Sequence, residues 1–272
     1  MTRPILASAV LAFLLVAARA EAQFTAQPDI VPAEDFNVEL GLIFWQPTPE
    51  LSLTTGSSLV GTVDFVRDFG ISEEFFSEFR AVLKPGRKHK IRFSYVPFSY
   101  DQDTVLQRTI VIGNQPFPAT ATANADVTWN LYTFAYEWDF VSRSRGFLGL
   151  VAGAKYNRVE ADVTATATAF GLTQTFVAEL FDQDALVPTI GAIGRGYLGD
   201  YVSITGEFGV FKIDGDEWRG KFYDFDIYGA AHLGKYVGAQ VGWRSVVVDF
   251  LVDEDAGDLN MKGPYFGGFV RF

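Results

Sequence analysis

From Phe36 to the C-terminus, apolar and polar residues alternate with a period of two, the mark of strands whose two faces meet different surroundings. The clearest run is Tyr236 to Phe250. Val237, Ala239, Val241 and Trp243 take one face, and Gly238, Gln240, Gly242 and Arg244 take the other. The segment before it repeats the scheme, with Tyr223, Phe225, Ile227, Gly229, Ala231 and Leu233 alternating with Asp224, Asp226, Tyr228, Ala230 and His232. Between Tyr201 and Ile213, Val202, Ile204, Phe208 and Val210 oppose Ser203, Thr205, Glu207 and Gly209. Segments of this kind predict about ten strands, near 36–46, 72–84, 90–102, 127–141, 146–160, 186–198, 201–213, 221–233, 236–250 and 259–272. Eight or twelve strands are the alternatives. Residues 57–70 fit either the first outer loop or a strand of their own, which with another near 104–112 gives twelve.

Alternation does not say which face is inside. A soluble sandwich buries its apolar face, whereas a membrane barrel turns it to lipid. The connections favour the barrel. Short ones fall at Lys84 to Lys88, Ser142 to Arg145, Leu198 to Tyr201 and Gly234 to Tyr236. Long ones run from Tyr100 to Asp126, Arg158 to Asp184, Asp214 to Gly220 and Asp249 to Leu259. Short turns at one rim and long loops at the other are the outer-membrane arrangement, with the short turns in the periplasm. Ala119-Thr120-Ala121-Thr122-Ala123 echoes Ala165-Thr166-Ala167-Thr168-Ala169, and both predict strand pairs projecting beyond the membrane.

The first residues set the compartment. An early positive charge at Arg3, an apolar run from Ile5 to Ala18 and the small residues Ala20 and Ala22 form a secretory leader, whose apolar core is short for a spanning helix. The division expected is a signal peptide over 1–22 and a barrel over 23–272. No later segment is a second helical span. Composition agrees: 26 Phe, 11 Tyr and 5 Trp supply interfacial girdles, and 26 Gly suit crowded lumen positions and bends in strands. The net charge of −11 argues against nucleic acid as a partner. Cys is absent and only His89 and His232 are present, so neither disulfides nor a structural zinc is expected, and no cofactor is called for.

The final segment, Tyr265-Phe266-Gly267-Gly268-Phe269-Val270-Arg271-Phe272, resembles the C-terminal β-signal of bacterial outer-membrane proteins. Gly267, Val270 and Phe272 fall on matching positions, although an aromatic residue is more usual where Val270 stands. The resemblance implies the barrel-assembly machinery as a partner. The whole layout is similar, in pattern, to small monomeric outer-membrane barrels of the OmpA and OmpW type. That implies an all-β, antiparallel transmembrane barrel in the bacterial outer membrane. Its surroundings would be outer-membrane lipid and lipopolysaccharide, and it is expected to be a monomer.

With the apolar face to lipid, the lumen receives Glu39, Glu78, Arg80, Arg92, Glu137, Asp139, Lys155, Arg195, Glu207, Asp224, Asp226, Gln240 and Arg244. A barrel of about ten strands is narrow enough for side chains to fill, and buried charges are costly unless paired. Glu207, Asp224, Asp226 and Arg244 are expected to form one cluster. Two readings of the lumen follow, a packed ion-paired interior and a narrow charged channel. The leading function is a structural or small-solute channel barrel. The alternative is a surface-binding or adhesion barrel using the outer loops, and a lipid-modifying enzyme comes last. Both histidines map to the periplasmic rim, and no Gly-x-Ser-x-Gly surrounds a serine, so no catalytic residue is named. The carboxylates Asp253, Glu254, Asp255 and Asp258, and Asp214, Asp216 and Glu217, read as solvated loops, with a Ca²⁺ site as the sharper option.

Overall fold

A computed structural model describes residues 34–54, 63–112, 115–169, 172–215, 218–252 and 255–272. The leader, most of the lead-in and the carboxylates Asp216, Glu217, Asp253 and Glu254 lie outside the described residues. Ten strands form one antiparallel wall: β1 (Val38–Trp45), β4 (Phe76–Gly86), β5 (His89–Val105), β8 (Thr122–Arg143), β9 (Gly146–Ala169), β10 (Leu172–Tyr197), β11 (Val202–Asp214), β12 (Trp218–Leu233), β13 (Val237–Val252) and β14 (Asp255–Arg271). Pairing of β1 with β14, from Glu39 opposite Arg271 to Trp45 opposite Tyr265, closes the barrel. The shorter β2 (Thr48–Thr54) pairs with β14 and with β3 (Val63–Asp64), and β6 (Ile110–Ile112) pairs with β7 (Gln115–Phe117). A one-turn helix, α1 (Phe65–Phe69), follows β3. Asp64 caps it by accepting from the Arg67 N–H, and Gly70 ends it in the left-handed region at φ 76°.

The facing is inside-out across one zone. On β8, Tyr132, Phe134, Tyr136, Trp138 and Phe140 point outward, and Phe134 is 61% exposed. Between them, Thr133, Ala135, Glu137 and Asp139 point inward, and Glu137 and Asp139 are buried. These five outward residues cover about 27 Å of strand, or roughly 20 Å of height at a 40° tilt, which matches a transmembrane apolar band. Tyr95, Tyr132 and Tyr156 stand side by side on β5, β8 and β9 at its outer limit, with Tyr95 stacked on Tyr132 at 4.5 Å. Trp138 and Phe140 mark the inner limit, beside the turn that joins β8 to β9.

Beyond Tyr156 the strands continue. From there to Ala169, β9 runs on for about 40 Å, paired throughout with β10 apart from a bulge between Glu179 and Phe181. The two alanine–threonine echoes pair with each other, Thr122 opposite Thr166 and Ala123 opposite Ala165. Their alanines Ala121, Ala123 and Ala165 are buried inward. The backbone ladder between β10 and β11 stops at Ile190 opposite Val210, just below Pro188, which has no N–H to extend it.

Several expectations change. Asp214 to Gly220 and Asp249 to Leu259 are not long loops: β11 and β12 pair as far as Asp214 opposite Arg219, and β13 and β14 as far as Val252 opposite Asp255. Residues 63–70 hold a two-residue strand and α1, and Thr48–Thr54 is a strand that the Pro47 and Pro49 punctuation conceals. Residues 104–112 divide between the end of β5 and the hairpin strand β6, so they add no wall strand.

Candidate functional site: the packed lumen

Three layers fill the interior from the turn-bearing rim outward. The first is built around Glu34, which precedes β1. Its carboxylate accepts from the Tyr197 hydroxyl at 2.5 Å and meets Arg195 and Lys84 at 3.3 Å, and the Lys84 ammonium also donates to the Glu34 carbonyl at 2.6 Å. Lys90 bridges this group to Glu137 at 2.6 Å and Asp139 at 3.0 Å. Phe36 lies under the cations of Lys84 and Arg271, and Arg271 pairs with Glu39 at 2.5 Å.

The second layer is the expected charged cluster, wider than foreseen. Arg244 holds Asp224 in a two-point contact, at 3.1 and 2.8 Å, and reaches Glu78 at 3.0 Å. Arg80 joins Glu78 at 2.9 Å to Asp226 at 3.0 Å, and Asp226 also accepts from Tyr265 at 2.7 Å. Arg92 joins Glu207 at 2.6 Å to Glu137 at 3.3 Å, and Lys155 meets Asp224 at 2.7 Å. Register explains the cluster: Glu207 faces Asp226 across β11 and β12, and Asp226 faces Arg244 across β12 and β13. A cavity of about 90 Å³ lies among Arg80, Arg92, Lys155, Glu207, Tyr228 and Gln240. It has room for a few waters among polar partners.

The third layer is apolar. Trp45, Phe76, Phe98 and Trp129, from four adjacent strands, pack ring on ring at 4.7–5.6 Å. Leu131, Phe222, Val246 and Met261 complete the layer. Above it, Phe65 and Phe69 of α1, with Leu106, Ile110 and Phe117, extend the apolar core toward the outer end. Asp68 pins this cap to Arg108 at 2.6 Å. Burial opposes ionisation of Asp68, yet hydrogen bonds from Arg108, Arg67 and the Asp64 N–H hold its carboxyl well below the usual range.

Every lumen residue anticipated as part of the cluster faces inward. Arg195 differs in its partners, which are Glu34, Tyr228 and Thr205 rather than the central carboxylates. Lys84, at the edge of the expected turn, and Lys90, at the start of the expected strand 90–102, are buried in the lumen although neither was placed there, and Glu34, Tyr197, Tyr265 and Arg271 were not anticipated at all. Strand parity places Lys84 with Glu78 and Arg80, and Lys90 with Arg92, so that signal was present. His232 and Ser203 are 3.0 Å apart, but Arg271 approaches the other ring nitrogen at 3.2 Å. A guanidinium only donates, so Nδ1 accepts and Nε2 carries the proton. Nε2 therefore donates to Ser203 and cannot take its proton. His89 bonds the Tyr136 hydroxyl at the rim. Among the described residues, no group of three or more His, Asp or Glu is arranged to hold a metal ion.

A closed wall with apolar side chains outside and ion pairs inside defines a membrane-spanning β-barrel, with the fold of outer-membrane proteins. Among solved structures it is similar to the outer-membrane protease OmpT from Escherichia coli, with a TM-score of 0.57 and 11% identity over 92% of this chain and 99% of that one. The translocator domain of the autotransporter NalP from Neisseria meningitidis aligns over 98% of this chain and 96% of its own, at 10% identity and a TM-score of 0.44. The Pseudomonas putida toluene transporter TodX aligns over 87% of this chain and 90% of its own, at 4% identity and a TM-score of 0.37. No protein-family model and no curated protein matches the sequence.

Proposed function

We propose that the chain is a sealed, monomeric barrel of the Gram-negative outer membrane that works through its projecting outer sheet, as a surface-binding component and not as a solute channel. The observation that carries this reading is the pair of packed layers that cross the lumen. Ion pairs span the middle from Glu34 to Asp224, and the Trp45–Phe98–Trp129 layer lies above them. The charged lumen and its cavity are what a channel reading rests on, but the water-accessible space there is only about 90 Å³, lined by paired charges. An enzymatic role finds little support either, because both histidines sit at the turn-bearing rim, and His232 is in the wrong tautomer to activate Ser203. The part left open to partners is the outward face of β5, β8, β9 and β10. Asp101, Asp126 and Asp162 lie there in one cross-strand row. Desolvation, together with Asp101, Asp162 and Glu160, raises the Asp126 carboxyl above its ordinary range.

Planar-bilayer recording on the folded protein tests the reading. No steady single-channel current is expected. A reproducible ohmic conductance from protein shown to be folded would overturn it in favour of the channel.

A further inference from the structure

Charges on the outward face are sorted by height. On each wall strand that carries both signs beyond the apolar band, the cation comes first and the carboxylate lies farther out. Arg158 precedes Glu160 on β9, Lys212 precedes Asp214 on β11, and Lys262 precedes Asp258 on β14.

The arrangement is densest on β11 and β12. Lys212 stands directly opposite Lys221, one outward position above Val210 and Tyr223. Like charges facing each other across a ladder repel. Arg219 adds a third cation on the next outward position of β12. Asp214 meets Lys212 at 2.9 Å and Arg219 at 3.0 Å, while Lys221 has Asp249 only at 3.9 Å. Three cations thus share two carboxylates, and the Lys212 and Lys221 side chains remain 54% and 38% exposed.

A second feature lies directly below. Phe208 stacks on Tyr223 at 6.5 Å under the lysines. Farther down the same outward face, Gly206 and Gly196 carry no side chain and a Cβ at either would stand in open space. Leu148 leans over Gly194 beside them and Ile204 stands opposite Gly196, so the bare wall is a narrow groove between them. Gly206 is six residues below Lys212, about 20 Å along the strand, which is the length of a fatty acyl chain. A cationic pair above an aromatic pair above a side-chain-free recess has the profile of one lipid.

We propose that Lys212 and Lys221, backed by Arg219, bind the phosphate of an outer-leaflet glycolipid whose acyl chain lies over Phe208 and into the Gly206–Gly196 recess. The bound phosphate relieves the lysine–lysine repulsion. The site depends on the long hairpins facing the cell exterior and is independent of whether the lumen is sealed.

The test uses the full chain folded in detergent, with bisphosphorylated hexa-acyl lipid A as the probe and binding read by native mass spectrometry. The Lys212→Gln/Lys221→Gln variant should bind roughly thirtyfold more weakly, from about fivefold per lysine at an anionic lipid surface. Lys262→Gln, on another face, should bind as the parent does. Gly206→Leu keeps the lysines and fills the recess, and it too should weaken binding. Lipid A stripped of its phosphates should lose the preference for the parent over the double variant. Undiminished binding by the double variant overturns the proposal, and so does equal competition by inorganic phosphate at the same concentration. If the double variant fails to fold, Lys212→Arg/Lys221→Arg replaces it. That variant should retain affinity, and its losing affinity as fully as Gly206→Leu counts against a phosphate contact.

Discussion

Arg244 is the residue whose loss should be felt most in the lumen. It is 4% exposed, grips Asp224 at two points and reaches Glu78, and its guanidinium lies 5.3 Å from the Trp45 ring centre. Truncation by Arg244→Ala strips a partner from two buried carboxylates. Breaking a buried ion pair costs about 3–5 kcal/mol. Here Asp224 keeps Lys155 at 2.7 Å and Glu78 keeps Arg80 at 2.9 Å, so the loss belongs near the lower end, about 3 kcal/mol. The matching surface change, Arg158→Ala, breaks a half-exposed pair with Glu160 and should cost less than about 1 kcal/mol. Urea unfolding in detergent, followed by tryptophan fluorescence, measures both. Conductance should stay at zero in the Arg244 variant, because the Glu34 layer below and the Trp45–Phe98 layer above are untouched. Equal costs for the two variants would mean that the cluster is wet and screened. A current in the variant would mean that the other two layers do not seal.

Three further outcomes are expected. Val241→Arg, on the lipid face, should destabilise by about 2–4 kcal/mol, and Gln240→Arg, beside the internal cavity, by distinctly less; equal or reversed costs would refute the inside-out facing. Deleting Phe272 removes backbone bonds to Asn37 and Val38 at the closing seam, so outer-membrane levels in cells should fall, and unchanged levels would separate the C-terminus from assembly. The depressed Asp68 carboxyl contributes stability that is present above its unfolded value of about 3.9 and is lost as pH falls below it; Asp68→Asn should therefore be less stable at neutral pH and flatter in acid, and parallel acid limbs would sink the pinning role.

Within the membrane zone the sequence was readable because parity does the sorting. One apolar phase on β11, β12 and β13 puts Glu207, Asp224, Asp226 and Arg244 on the other, and the ladder then brings them together. Parity also covered Lys84 and Lys90, but basic residues beside Pro85 and Gly86 read as a turn. Glu34 could not have been found this way, since it precedes the first strand and enters the lumen only because the chain folds back under Lys84 and Tyr197. The Gly267 position resembling an assembly signal has a local reason as well: a Cβ there would collide with the Leu42 carbonyl across the closing seam. The outer hairpins were the hardest to bound, because alternation continues there with its chemistry exchanged.

That exchange is visible along β9. Below Tyr156, Leu148 and Leu150 face out while Lys155 is buried inside. Above it, Arg158 and Glu160 face out while Val159, Ala161, Val163 and Ala165 are buried inside. The backbone neither breaks nor shifts register at this level, so the strand itself cannot be the cause. The solvent is: lipid takes the apolar face below and water takes the polar face above, and each leaves the opposite kind for the interior. The same inversion fixes the outer membrane surface from the chain's own chemistry, without appeal to any similar fold. It also bears on conduction. The interior turns from ion pairs to packed rings at the height where the outside turns from rings to charges, and an apolar constriction of that kind is where a water path dewets first. In this barrel, then, the condition that lets strands project past the membrane as an ordinary apolar-cored sheet also packs rings across the lumen at that height.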